Sequence, residues 1–294
     1  MKRYIKIFSL LTLVLIGSKT QAQINPLDAQ YFQNTYLANP ALAGSNGGLR
    51  LNLGYRNQWS DIPGSPKTQN LMLDYRANNA GLGLAVYNEK SGDLSYTKVV
   101  GTYAYHLKLN DNGNALHFGF NLGFSQGDLN TQNMVGNPND PDVNDFNNRK
   151  AVWDGDFGLA FSSKRFSLEG AFYNIKTQTK NEVNTTADYG TYFFAASYSV
   201  PLKNWDLNTK LAYRGVNNYV DITDIGLELV TQDKKLGFST IYHTSKSTSF
   251  GLSYLYKQHV QLVGFYNTSS KPIGNYTNGS FEMGVQYLVH KAKK

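Results

Sequence analysis

The sequence predicts an all-β chain, a transmembrane antiparallel β-barrel of about 14 strands of the outer-membrane type. Three observations point there: segments near ten residues long with strict apolar/polar alternation, links between them sorted by length, and strand- and turn-forming composition behind an export leader.

The first strand sets the pattern. Asn39-Pro40 and the Gly44-Ser45-Asn46-Gly47-Gly48 cluster are turn residues. Alternation follows at once, with Leu49, Leu51, Leu53 and Tyr55 on one face and Arg50, Asn52, Gly54 and Arg56 on the other. Leu49 to Trp59 is the first predicted strand, and Gln69 to Ala77 returns from it through Asp61-Ile62-Pro63-Gly64-Ser65-Pro66. Further strands read as Gly81 to Asn88, Ser95 to Leu109, Ala115 to Ser125, Val152 to Phe161, Phe166 to Ile175 and Tyr189 to Val200. Trp205 to Gly215, Tyr219 to Val230, Leu236 to His243, Thr248 to Tyr256, Val260 to Tyr266 and Gly279 to His290 complete the set. The cleanest sets Leu116, Phe118, Phe120, Leu122 and Phe124 against His117, Gly119, Asn121, Gly123 and Ser125.

Links decide between a barrel and a soluble β-sandwich. Asn78 to Ala80, Asn110 to Asn114, Ser163 to Arg165, Pro201 to Asn204, Thr231 to Lys235 and Lys257 to His259 are short. The intervening links, such as Gln126 to Ala151, Gln178 to Asp188 and Asn267 to Asn278, are mostly longer. Every short link falls on the end that carries both termini, the pattern of a barrel with periplasmic turns and surface loops. Tyr (21), Phe (16) and Gly (27) suit short strands and tight turns. A mean hydropathy of −0.42 is compatible with a membrane barrel, because half of each strand faces inward.

Lys2, Arg3 and Lys6 precede the apolar run Ile7 to Ile16 and the small-x-small site Thr20-Gln21-Ala22, a secretory leader over residues 1–22. Residues 23–48 form an N-terminal periplasmic or plug segment, 49–290 the barrel, and 291–294 a basic tail. Losing Lys2, Arg3, Lys6 and Lys19 leaves 24 of the 28 basic residues against 21 acidic ones, a net charge of +3. An exported, nearly balanced chain is not a nucleic-acid binder. The chain has no cysteine, which excludes disulfides, thiolate metal sites and a lipoprotein acyl anchor.

Candidate chemistry is sparse. His106 and His117 flank the Asp111-Asn112-Gly113 turn and could sit across a hairpin as a two-imidazole metal site, or serve as ordinary polar residues of a wet lumen. Asp140-Pro141-Asp142-Val143-Asn144-Asp145 matches the start of a calcium loop, but Asp145 stands where that motif needs Gly and no flanking helix is in prospect. Asp154 and Asp156 share a strand face, as an acid/base pair or as lumen polarity. No nucleophile is found beside a base, so no enzyme and no cofactor are expected. Trp59, Tyr75, Tyr87, Trp153, Tyr198, Trp205, Tyr213, Tyr256 and Tyr287 fit an aromatic girdle, with ligand stacking as the alternative.

Tyr31-Phe32-Gln33-Asn34, then Asn39, Pro40, Ala41, Leu42, Ala43, Gly44 and Ser45, then Tyr55, Arg56, Asn57, Gln58 and Trp59, with Gly64-Ser65-Pro66 and Thr68, resemble the opening of the PorP/SprF family. The start at Gln23-Ile24-Asn25-Pro26-Leu27 departs from that family's usual opening, and His290 to Lys294 replaces a terminal aromatic. The resemblance implies an outer-membrane protein of type IX secretion and gliding motility that binds secreted cargo, especially adhesins with a type B C-terminal domain. Implied partners are that cargo, the secretion machinery and outer-membrane lipid. A porin-like diffusion channel is the alternative.

Overall fold

The computed structural model describes residues 29–132, 140–176, 191–216, 221–269 and 277–289. The leader and basic tail of the sequence reading lie outside them. Fourteen strands follow in order: β1 (Leu49–Asn57), β2 (Lys67–Ala77), β3 (Ala80–Ser91), β4 (Leu94–Lys108), β5 (Ala115–Leu129), β6 (Val152–Ser162) and β7 (Phe166–Tyr173). They continue as β8 (Thr191–Pro201), β9 (Trp205–Val216), β10 (Ile222–Thr231), β11 (Leu236–His243), β12 (Ser247–Tyr256), β13 (Val260–Asn267) and β14 (Ser280–Val289). Each pairs antiparallel with its sequence neighbours, and β1 closes on β14 from Leu49 opposite Val289 to Asn57 opposite Phe281. Closure pairs every strand on both sides, as a bilayer without water demands.

Polarity is inverted relative to a soluble protein. On β1, Leu53 and Tyr55 face outward while Arg50, Asn52 and Arg56 are buried inside. On β5, Phe118, Phe120, Leu122 and Phe124 are exposed; on β14, Phe281, Met283, Val285, Tyr287 and Val289 are, with Glu282 and Gln286 buried. The two-residue periodicity of a strand sends each apolar set to lipid and each polar set to the lumen.

Tyr75, Trp153, Tyr198, Tyr213, Tyr256 and Tyr287 lie on the exposed apolar face, and Trp153 packs on Phe124 with ring centroids 5.4 Å apart. Two expected girdle residues do not. Tyr87 shares parity with Gly81, Gly83 and Ala85, so it points into the lumen and packs against Met72 and Tyr36. Trp59 follows the end of β1 at φ 52°, in a loop tied back to β14 by a bond from its N–H to Ser280 Oγ (3.3 Å).

The links sort by end with three exceptions, one of them the five-residue β9–β10 link, 217–221. At the end opposite the termini, β3 turns into β4 through Gly92-Asp93, and β11 into β12 through residues 244–246. β5 also runs to Leu129 instead of stopping at Ser125, because Thr97 to Leu94 of β4 continue to pair with Gln126 to Leu129. The link expected at 126–151 is therefore shorter and partly helical, with α1 reserved for Thr35–Ala38 in the N-terminal segment and α2 spanning Pro141–Asn147.

The outward apolar face gives a quantitative expectation. Leu122, at mid-strand and 58% exposed, changed to Arg should cost about 2–4 kcal/mol of unfolding free energy in lipid, the range for a cation near the bilayer midplane. Reversible urea unfolding in bilayers measures it, with Asn112→Arg in the β4–β5 turn changing little.

Candidate functional site

Residues 29–48 thread through the barrel as three short turns. A 3₁₀ turn at Gln30–Phe32 leads to α1, and a second 3₁₀ turn, Pro40–Leu42, follows. Asn39 organises the last. Its Oδ1 caps the turn by accepting from Ala41 N (3.0 Å), and Pro40 at the first helical position needs no donor. Its Nδ2 donates to the strand carbonyls of Leu159 (3.1 Å) and Gly170 (3.3 Å). Gly119 of β5 and Gly158 of β6 leave the room: a Cβ on Gly119 would collide with Pro40 and Ala41, and one on Gly158 with the Asn39 amide.

The segment is gripped from all round the wall. Tyr31 and Ala38 pack with Ala171, Phe193, Ala195 and Ala212 on β7 to β9; Tyr36 and Ala43 with Met72, Ala85, Val100 and Ala104 on β2 to β4. Ala29 sits on Ile241, Val263 and Phe265 of β11 and β13. Polar anchors lie between these patches. Ala29 N and Gln30 N each donate to the Glu282 carboxylate (3.1 Å), and Gln33 Nε2 donates to Glu228 Oε1. Tyr36 Oη lies 2.5 Å from Thr102 Oγ1, and Tyr173 donates to the Ala38 carbonyl. Gly44, at φ +71°, donates its N–H to Asp74 Oδ2 (2.9 Å), whose carboxylate also takes Arg50 Nε (3.0 Å) and Nη2 (3.3 Å). A Cβ on Gly44 would strike the Tyr75 carbonyl, so no side chain fits.

His106 and His117 do meet across the β4–β5 hairpin, Nδ1 to Nδ1 at 2.6 Å, in contact with each other instead of spaced around an ion. His106 Nε2 lies 2.9 Å from the Ala43 carbonyl, a pure acceptor, and His117 Nε2 lies 2.8 Å from Ser162 Oγ. One tautomer set satisfies the chain: Ser162 donates to His117, His117 to His106, and His106 to Ala43. The pair latches the plug. Among the described residues no group of three or more His, Asp or Glu side chains gathers as a metal would need.

Asp154 and Asp156 face a packed lumen, correcting the expectation of a water-filled one. Asp156 accepts from Asn121 Nδ2 and Asn174 N (both 2.9 Å), Asp154 from Lys176 N (2.8 Å), so the two hold the chain as it leaves β7. Asp140 opens α2, contrary to the expectation of no helix there, and caps it by accepting from Asp142 N (2.9 Å). That is the job its acidic run does.

A constellation missed in the sequence lies on β9 to β12. Asp224 Oδ1 is 2.6 Å from His243 Nδ1, and His243 Nε2 is 2.7 Å from Ser249 Oγ. These are the contacts of an acyl-transfer triad, a nucleophile beside a base. Ser249 is only 1% exposed, however, and Asp224 is also held by Arg214 Nε (2.7 Å) and Nη2 (3.3 Å) and accepts from Tyr31 Oη (2.8 Å). Burial, ahead of the Asp224 charge, pushes the Tyr31 phenol well above its ordinary range and keeps it a donor. As folded, the group presents no nucleophile to solvent and braces the plug. Three separate strands supply it at irregular sequence spacing, so only pairing registers could have revealed it.

The signature residues divide between the two ends. Asn39, Pro40, Ala41, Ala43 and Gly44 are buried in the plug, with Ser45 half-buried at its exit. Arg56 and Asn57 end β1 at the far rim, where Arg56 Nη2 donates to Gln58 Oε1 (3.1 Å) and Gln58 N to the Pro66 carbonyl (2.9 Å). Gln58 and Trp59 shape that loop and do not meet the plug turn.

Two variants test the plug. Gly158→Val should displace the Pro40–Leu42 turn and raise single-channel conductance in planar bilayers well above the near-zero level expected of the intact barrel. Asp74→Ala, which strands the Arg50 guanidinium, should lower stability by about 3–5 kcal/mol in urea unfolding.

The model of the PorP/SprF family, type IX secretion system membrane proteins, matches residues 20–287. No curated protein matches the sequence. Among solved structures, the P. putida toluene transporter TodX aligns at TM-score 0.55 and 10% identity, over 88% of this chain and 94% of that one. The Ralstonia pickettii toluene transporter TbuX aligns at TM-score 0.53 and 12% identity over 93% and 96%. CymD, a monoaromatic hydrocarbon channel, aligns at 0.51 and 12% over 93% and 96%. At such identities the likeness is one of fold, the outer-membrane barrel. A family match running from ahead of the plug through nearly the last strand, on a closed 14-strand barrel, places the chain in the PorP/SprF family of type IX secretion system membrane proteins.

Proposed function

We propose that this barrel is a non-catalytic outer-membrane component of type IX secretion and gliding motility that binds secreted cargo and anchors it at the cell surface. The cargo class implied by the family is the adhesin with a type B C-terminal domain. In this reading the end with the termini and the short turns faces the periplasm and the secretion machinery, and the opposite rim meets cargo outside. The exposed apolar band is solvated by outer-membrane lipid.

The single observation that carries the reading is the fastened plug. A diffusion channel needs an open lumen, whereas here backbone, amide and aromatic groups of residues 29–48 fill it, several of them donating to carboxylates of the wall. What remains for function is the rim. There the paired start of β4 and end of β5 stand tall and carry α2, whose Phe146 lies against Gly127 and whose Asn147 bonds both the N–H and the carbonyl of Leu129 (2.7 and 2.9 Å). A diffusion channel is the competing reading; toluene transport is stated for TodX and TbuX, with which this chain shares only the fold.

The discriminating experiment is a pull-down with partners identified, comparing the intact barrel with one whose residues 131–150 are replaced by a short Gly-Ser link that preserves β5. Recovery of a protein bearing a type IX C-terminal domain, lost on replacement, is expected. Absence of such cargo together with steady ion conductance by the purified barrel would overturn the proposal in favour of a channel.

A further inference from the structure

On the outer face of β2 and β3 a ladder of cross-strand pairs runs toward the rim opposite the termini. Leu73 stands opposite Leu84, Leu71 opposite Val86, Gln69 opposite Asn88, and Lys67 opposite Lys90. The series goes from hydrocarbon to amide to ammonium. Each step advances two residues, roughly 6.8 Å along a strand and about 5 Å along the membrane normal at a tilt near 40°. The lysine pair therefore lies roughly 10 Å past the last apolar pair, in the headgroup layer that flanks a hydrocarbon core of about 30 Å.

Two like charges directly opposite each other on a sheet disfavour that pairing. Lys67 and Lys90 are both exposed, and among the described residues neither has an ion-pair partner. Asp61, the acid lining the cleft between them, is engaged elsewhere: its Oδ2 accepts from Asn278 N (3.1 Å) and its Oδ1 from Ser60 Oγ (3.3 Å). The two lysines border a polar cleft of about 420 Å³ with Ser60, Asp61 and Ser65, whose floor is fixed by a bond from Gly92 N to the Gly64 carbonyl (2.7 Å).

Directly below, Gln69 and Asn88 form the upper edge of an apolar groove of about 400 Å³ walled by Leu53, Leu71, Val86, Met283 and Val285. Asn88 is oriented by donating to Thr97 Oγ1 (3.0 Å) on β4. A cationic, hydrogen-bonding cleft at headgroup depth, set above an apolar groove at acyl depth, has the two-part chemistry of a phospholipid.

We propose that the outer face of β14, β1, β2 and β3 is a binding site for one anionic, phosphate-bearing lipid, its phosphate held by Lys67 and Lys90 and its acyl chain laid in the groove below. The proposal rests on the barrel lying in a membrane and is independent of cargo binding. The apolar groove below the lysines on the same face selects a lipid over a free anion. The link above the site is tied at both of its flanks, to Ser280 through Trp59 and to Gly92 through Gly64.

The test is native mass spectrometry of the full barrel released from micelles of phosphatidylcholine doped with phosphatidylglycerol at equal mole fraction. One retained phosphatidylglycerol per barrel is expected. Lys67→Gln with Lys90→Gln should reduce it about tenfold to thirtyfold, the factor for removing two lysines near an anionic surface. The double Arg variant should retain it, and Lys203→Gln at the opposite end should change nothing. Heat-modifiable gel mobility checks that each variant is folded. Equal retention by the double Gln variant, equal retention of phosphatidylcholine, or complete displacement by inorganic phosphate would each overturn the proposal. Unchanged lipid retention in the barrel lacking residues 131–150 would separate this site from the cargo surface.

Discussion

Backbone hydrogen bonds in a medium without water are the constraint on which this structure depends. Each strand must be paired on both sides, so the sheet closes on itself through β1 and β14. Closure then dictates the rest. With lipid outside, the apolar half of each strand turns outward, and the polar half, including Arg50, Asp74, Arg214, Asp224 and Glu282, is enclosed. A closed tube of this size with charged walls needs either water or protein within it. This chain supplies its own N-terminal segment.

The plug and the wall are therefore complementary in chemistry as well as shape. Carboxylates on β2, β10 and β14 receive plug N–H and O–H groups at Gly44, Tyr31, Ala29 and Gln30, and each of the first two is simultaneously neutralised by an arginine from an adjacent strand. Breaking one partner would leave a buried charge, a far greater loss than the net worth of the pair. Small wall residues accept the plug backbone where bulk is forbidden, as at Gly119 and Gly158. Such a segment is part of the folded unit, and any function of the barrel has to work around it or move it against several anchors at once.

Much of the fold was legible in the sequence, because a period of two is read residue by residue. The alternation from Leu49 to Arg56 and from Leu116 to Ser125 assigned faces correctly, and the cross-strand meeting of His106 and His117 followed from a symmetric turn. What failed did so for definite reasons. Residue type puts Tyr87 in the girdle, but its parity with Ala85 sends it inward. A strand ending at Ser125 is too short because Gln126 and Asp128 look like loop residues once a strand leaves the hydrocarbon, yet they still pair with Thr97 and Ser95. The Asp224, His243 and Ser249 group, and the anchoring of Asn39 on Leu159 and Gly170, join residues from separate strands; sequence spacing carries no trace of them. The helix at Pro141–Asn147 did leave a signal, an aspartate followed by proline, that a capping reading would have found.

The central claim, that residues 29–48 fold as one unit with the barrel, is tested most directly by hydrogen exchange of the lipid-embedded protein followed by mass spectrometry. Peptides covering 29–48 should be protected on the same timescale as those of β1 to β5, since both open only when the barrel does. Exchange of that segment within seconds while the strands stay protected for hours would contradict it, and would mean that the lumen is held shut by something other than the interactions described.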